Sequence, residues 1–374
     1  MRRLVLCVSL VAALTALAAT AQARVASDDE AMIAPSSVAT VSVFATGFNN
    51  PRGLEWGPDG NLYVAEGGLG GTDSTVGQCT QVDPPVGPYT GSTNDPVNGG
   101  RISMVTPAGV RTTLASGLPS SMTSADTGNL VSGVADVAFV ESQMYAVLSG
   151  AGCSHGVADV PNGVIRVASD GSWTMIANLS EFIQNNPVRN PPVGDFEPDG
   201  TFYSMVSVGG ALYVDEPNHG EIDRVTTSGS ISRLVDVSAS QGHVVPTALA
   251  HHGVFHVGNL GTFDPGDGAG DEHVYQVNPN GHLRIAATGL EKVLGLAFVG
   301  GKEYALEMST AGGGPVPGTG TLVRVRAGGV AETIASGMTF PTGLTVGPDG
   351  AFYVSDQGFG FPAGQGQVLR ITTG

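Results

Sequence analysis

The sequence predicts an all-β fold, a six-bladed β-propeller of four-stranded blades whose ring is closed by the N-terminal strand. A repeat, a recurring turn and one missing strand carry this expectation. Gly53-Leu-Glu-Trp-Gly-Pro-Asp-Gly-Asn-Leu-Tyr-Val-Ala-Glu66 returns, nearly copied, as Gly343-Leu-Thr-Val-Gly-Pro-Asp-Gly-Ala-Phe-Tyr-Val-Ser-Asp356. Weaker copies are anchored on Val137, Met205, Leu249 and Leu296, where Leu54 and Leu344 stand. The later anchors recur at about 45 residues, the length of a four-stranded blade.

Each copy has one internal order. A strand A such as Gly343-Leu-Thr-Val turns at Gly-Pro-Asp-Gly into a strand B such as Ala351-Phe-Tyr-Val-Ser. After a loop of variable length, strand C has a shared shape, as in Gly163-Val-Ile-Arg166-Val and Gly366-Gln-Val-Leu-Arg370-Ile. A turn such as Pro107-Ala-Gly109 leads into strand D, which ends alike in Leu114-Ala-Ser-Gly-Leu118 and Ile334-Ala-Ser-Gly-Met338. Alternating apolar residues between Gly-rich turns are the signature of strands. The sixth copy stops after strand C, while Val41-Ser-Val-Phe-Ala-Thr-Gly-Phe48 has the strand D pattern and stands alone. Pairing the two leaves no open sheet edge. Only 179–186 reads as a short helix, with Ser180 as its N-cap and Pro187 as its stop.

Composition bounds the function. With 56 Gly and 23 Pro the chain favours turns over long helices, and 41% hydrophobic residues exclude disorder. A formal charge of −17, with no basic stripe, excludes nucleic acid and anionic membrane surfaces as partners. Met1-Arg2-Arg3, the apolar run from Leu4 to Ala19 and Ala21-Gln22-Ala23 read as a signal peptide over 1–23. A polar linker over 24–40 and the propeller over 41–374 follow. A membrane-anchored N-terminus is the alternative; no later run is long enough to span a bilayer, so the rest is not membrane-embedded. The expected location is secreted or periplasmic. There, Cys79 and Cys153 form either a disulfide or two buried thiols.

Propeller geometry puts the short A–B and C–D turns on one face and the long B–C and D–A insertions on the other. The loop-rich face is therefore the expected binding surface. Tyr89, His155, His219, Phe263 and Phe359 lie on its insertions. Strand B ends in Glu66, Glu216, Glu307 and Asp356, with Asn259 at the same place. They read either as a cation site or acid/base pair, or as caps of the loop backbone. Asp136 is the one acid near the axial start of a strand A. That start otherwise holds Arg52, Ala135, Tyr203, Thr247, Leu294 and Thr342, which argues against the calcium site of lactonase-like propellers. Asp264, Asp267 and Asp271 alternate with Gly and are the remaining metal candidates, against an ordinary acidic turn. No cofactor follows from this; a divalent cation such as calcium is what the acidic residues admit.

Asn50-Pro-Arg-Gly-Leu, Gly57-Pro-Asp-Gly, Leu62-Tyr-Val-Ala-Glu66, Asp136-Val-Ala-Phe139, Asn185-Asn-Pro187, Val245-Pro-Thr247, Pro341-Thr-Gly-Leu344 and Ser355-Asp-Gln-Gly-Phe-Gly360 together resemble the ScyD/ScyE family of exported NHL-like propellers. The resemblance runs from about Val41 to Gly374. It departs at Ala135, where a His is expected, and at Cys153, in place of a second Cys near Cys79. It implies an exported propeller, and founding members accompany enzymes that make the pigment scytonemin. The functional expectation is binding of a small molecule or protein through the loop-rich face. The alternatives are an exported enzyme that couples small indole or phenolic compounds oxidatively, or a metal-dependent hydrolase.

Overall fold

In the computed structural model the described residues are 39–262, 272–278, 280–326, 329 and 331–373. The expected signal peptide, nearly all of the linker, and Phe263, Asp264, Asp267 and Asp271 lie outside them. Six four-stranded antiparallel sheets form the blades. In the order A to D, blade 1 is Pro51–Trp56, Leu62–Glu66, Gly100–Val105 and Arg111–Leu118. Blade 2 is Val134–Val140, Gln143–Leu148, Gly163–Val167 and Trp173–Asn178. Blade 3 is Met205–Val208, Ala211–Glu216, Glu221–Thr226 and Ile231–Asp236. Blade 4 is Pro246–His252, Val254–Asn259, Glu272–Val277 and Leu283–Leu290. Blade 5 is Val293–Val299, Lys302–Glu307, Gly320–Val325 and Ala331–Met338. Blade 6 is Gly343–Val346, Phe352–Asp356, Gly366–Thr372 and, from the other end of the chain, Thr40–Phe48.

Each strand A packs against the next, and that of blade 6 returns to that of blade 1. Between neighbouring blades lies an apolar cluster. Phe48, Leu54, Leu62 and Tyr353 join blades 6 and 1. Leu148, Ile165, Leu118 and Ile102 join blades 1 and 2, and Phe202, Leu179, Ile183 and Leu212 join blades 2 and 3. The N-terminal strand closes the ring: Val41 stands opposite Ile371 and Thr46 opposite Gln367. Phe48, with none of its surface exposed, anchors this seam.

The repeated turn is explained atom by atom. The carboxylate of Asp59 accepts from Asn61 N at 3.1 Å and from the Tyr63 hydroxyl at 2.9 Å. Its counterpart Asp349 accepts from Ala351 N at 3.1 Å and from the Tyr353 hydroxyl at 3.1 Å. A Cβ at Gly57 would come within 2.6 Å of the Tyr63 ring, and one at Gly347 within 2.4 Å of Tyr353. Gly-Pro-Asp-Gly followed by Tyr is thus one folding unit: glycine makes room for the ring whose hydroxyl steadies the turn.

Three features differ from expectation or extend it. The helix is Leu179–Asn185, and its N-cap is Asn178, which accepts from Glu181 N at 3.0 Å. Ser180 instead donates to Asp199 O and accepts from Asn162 N, because its side chain faces the buried blade interface. A small sheet of Thr90–Ser92, Ser120–Met122 and Val131–Ser132 organises the loops between blades 1 and 2. Cys79 and Cys153 form a disulfide, with Cα atoms 6.3 Å apart, tying the B–C insertion of blade 1 to that of blade 2.

Candidate ligand channel and the loop-face side chains

The six A strands enclose an axial cavity of about 250 Å³. Its wall as a whole is about equally polar and apolar, and Leu54, Val137, Met205, Leu249, Leu296 and Leu344 line it from the six blades. These are the anchor residues of the repeat, so the same positions that define the blades define the channel. The polar groups on the lining are Glu55, Asp136, Tyr203, Ser204, Thr342 and Thr345.

At the loop-face end, side chains lie across the axis. Tyr203, entering blade 3, donates its hydroxyl to Thr342 O of blade 6, directly opposite in a ring of six, at 2.8 Å. The Arg52 guanidinium of blade 1 lies 5.9 Å from the Tyr203 ring centre and 5.0 Å from that of Phe359, and it donates to Val131 O. Burial pulls the Arg52 guanidinium below its ordinary value, and the neighbouring Tyr203 opposes that shift. Three of the six residues at the axial starts of the A strands, Arg52, Tyr203 and Thr342, thus form a crossbar. The lining runs on to Val206, Ala297 and Val346, near the short-turn ends of their strands.

Two carboxyl groups face the channel below this bar. Asp136 accepts from Val137 N and Met205 N, each at 2.8 Å, and from the Ser204 hydroxyl, bridging blades 2 and 3. A Cβ on Gly53 would stand 1.9 Å from Asp136 Oδ1, so glycine there is what lets the carboxyl project inward. Glu55 accepts from Trp56 N at 3.2 Å and from Thr345 of blade 6. Burial pushes Asp136 up to about 8 and Glu55 up to about 7. Asp215, behind Ser204, is driven well above the usual carboxylate range by burial and by Asp136. The two channel acids therefore exchange protons near neutral pH.

The acids that end strand B sit elsewhere and are occupied by the loop backbone. Glu66 accepts from Asn49 N at 2.6 Å, Glu216 from Thr201 N at 2.8 Å, Glu307 from Glu291 N at 2.9 Å and Asp356 from Thr339 N at 2.7 Å. In all four the donor belongs to the connection entering the same blade, whose N–H has no strand to pair with. Asn259 accepts instead from His273 N, at 2.7 Å. Each of the four carboxylates has a further donor: Arg101 and Ser103 for Glu66, His219 N for Glu216, Thr321 for Glu307 and Gln367 for Asp356. This geometry favours the capping reading of those positions.

The loop-face histidines are buried among the insertions. His155 Nδ1 lies 2.9 Å from the Ser121 hydroxyl, and its Nε2 lies 3.4 Å from Glu197. Tyr89 donates to the other oxygen of Glu197 at 2.6 Å. His219 donates to Glu197 O at 2.8 Å and stacks on Phe196. These contacts fasten the connections that carry Tyr89, Ser121, His155, Glu197 and His219 to one another. Among the described residues no group of three or more His, Cys, Asp or Glu side chains is arranged to hold a metal ion. Glu55 and Glu197 were not singled out from the sequence. Glu55 stands in the sequence only as one residue of the strand A repeat, and the partners of Glu197 lie in distant insertions.

No known family model matches the chain, and no curated protein matches it by sequence. Solved structures do. A putative oxidoreductase (glucose dehydrogenase) from Thermus thermophilus aligns with a TM-score of 0.56 at 18% identity, covering 89% of this chain and 100% of that one. A gluconolactonase from Xanthomonas campestris aligns at 0.52 and 9% identity, covering 91% of each chain. A PQQ-bound aldose sugar dehydrogenase from Streptomyces coelicolor aligns at 0.51 and 14% identity, covering 91% of this chain and 100% of that one. At these identities the likeness is one of fold: the chain is a β-propeller.

Proposed function

We propose that this protein is an exported, ScyD/ScyE-like propeller that binds a small molecule in its axial channel. The carrying observation is an enclosed axial cavity in which leucine and valine side chains from the six blades stand beside two inward carboxyl groups, Glu55 and Asp136. Concave, mainly apolar sites with a few convergent polar groups are where small ligands are held. A volume of about 250 Å³ suits a compact molecule of one or two rings, the size of the indoles and phenols that the family resemblance implies. The disulfide supports an oxidising, extracytoplasmic location. Ligand-observed NMR with a panel of one- and two-ring compounds tests the reading. Leu344→Phe, which adds bulk to the lining, should abolish binding while the protein still melts cooperatively. Unchanged binding in that variant would place the ligand elsewhere and refute the channel.

A protein partner on the loop-rich face is the second reading. It is favoured by Val76, Val97 and Val193, which stand 58%, 67% and 102% exposed on two insertions of that face. Serine at Val97 and Val193 should weaken such a complex without affecting the channel.

A further inference from the structure

We propose that the channel ligand is a protonated amine carried on a compact apolar group, with Glu55 and Asp136 as its counter-charges. The inference rests on the channel reading above and names the ligand class. The argument is a census of donors and acceptors on the lining. The Tyr203 hydroxyl is committed to Thr342 O at 2.8 Å, and the Thr342 hydroxyl to Pro51 O at 2.6 Å. The Ser204 hydroxyl bonds Asp136, and the Thr345 hydroxyl bonds Glu55. The N–H groups of Val137 and Met205 are directed at Asp136, and that of Leu249 at the Ser204 oxygen. Once Glu55 and Asp136 are ionised, what these side chains retain for a guest is lone pairs. Two ionised carboxylates beside the leucine and valine side chains of the lining complement a cation rich in N–H donors. They offer less to a carboxylate or a ketone.

Charge points the same way. Neither Glu55 nor Asp136 has a Lys or Arg ion-pair partner among the described residues. Arg52 lies in the crossbar beyond the Tyr203 ring, with its guanidinium donating to Val131 O. Asp215, which accepts from Ser204 N at 2.7 Å, adds a third acid behind the wall. Trp56, Thr345, Ser204, Met205 and Val137 hydrogen-bond the two carboxyls and carry no charge, and Tyr203, the titratable side chain beside Asp136, is itself pushed up to about 12 by burial. Burial keeps Asp136 largely protonated and Glu55 about half protonated at pH 7, so an arriving ammonium ion displaces a proton that leaves for solvent. Binding and proton release are then coupled, and affinity rises with pH.

Isothermal titration of the folded, disulfide-intact protein with benzylamine and benzyl alcohol tests this. The titration is run from pH 6 to 8.5 in two buffers of different ionisation enthalpy. Benzylamine is expected to bind at least tenfold more tightly than the alcohol, to gain affinity across that range and to release protons. Glu55→Gln should reduce benzylamine affinity at least tenfold and leave benzyl alcohol unchanged. If that variant does not fold, proton release by the parent decides the matter. Equal affinity for both compounds, or pH-independent binding without proton release, would overturn the ammonium assignment and leave the channel reading standing. Absence of binding by both overturns the two together.

Discussion

Removal of the Cys79–Cys153 bridge is expected to destabilise the propeller by about 4 kcal/mol. The bridge spans a sequence separation of 74 residues. For a loop of that length the chain-entropy relation gives about 4.4 kcal/mol at 25 °C, all of it acting on the unfolded chain. The closed segment contains strands C and D of blade 1 and strands A and B of blade 2, so the constraint bears on global unfolding. Both cysteines are partly exposed, and Cys→Ala therefore removes little packing. The experiment is urea unfolding of Cys79→Ala/Cys153→Ala beside the parent, with and without reductant. The entropic account predicts a lower midpoint together with a larger m-value, because the uncrosslinked unfolded chain exposes more surface. A loss below about 1 kcal/mol at unchanged m would refute it and reduce the bridge to a local tether.

Further expectations follow from the same geometry. Burial raises Glu55 and Glu221 to about 7 and Asp136 to about 8, so their neutral forms favour the fold. That contribution is complete below the unfolded carboxylate range near pH ~4 and is lost as pH climbs through about 7 to 8. Tm at constant ionic strength should therefore fall from pH 5 to pH 9, and a rising Tm contradicts the assignment. Gly53→Ala should destabilise by about 1–3 kcal/mol through its clash with Asp136, and adding Asp136→Ala should recover part of the loss in a double-mutant cycle. Phe48→Ala, at the ring seam, should cost about 3–5 kcal/mol in chemical denaturation. Glu307→Ala leaves Glu291 N without its acceptor and should lower Tm while leaving channel binding intact; the reverse pattern would restore a binding role to the strand B acids.

The fold was legible because its grammar is local. Gly-Pro-Asp-Gly with a following Tyr makes every contact of its turn within a few residues, so near copies in sequence become near copies in space. The orphan strand at Val41–Phe48 was legible by subtraction, and the disulfide by the placement of two insertions on one face. The three-stranded loop sheet was not, since Thr90–Ser92 and Val131–Ser132 are too short to show a period and are paired by tertiary context. The helix cap was misplaced by two residues because Ser180 and Asn178 are both good caps, and the buried interface decides between them. Asp136 was visible as a lone acid near the axis. Glu55 was not, because alternation along strand A cannot tell an outward position from one that faces the hole in the ring.

The seam of the ring also orders events in time. Ser42 and Arg370, which meet there, are separated by 328 residues. Thr40–Phe48 is synthesised before every other blade strand, and its partner Gly366–Thr372 after them all. Until both have arrived, one sheet edge on each side of the gap stays unsatisfied, and no partial ring can settle into the closed state.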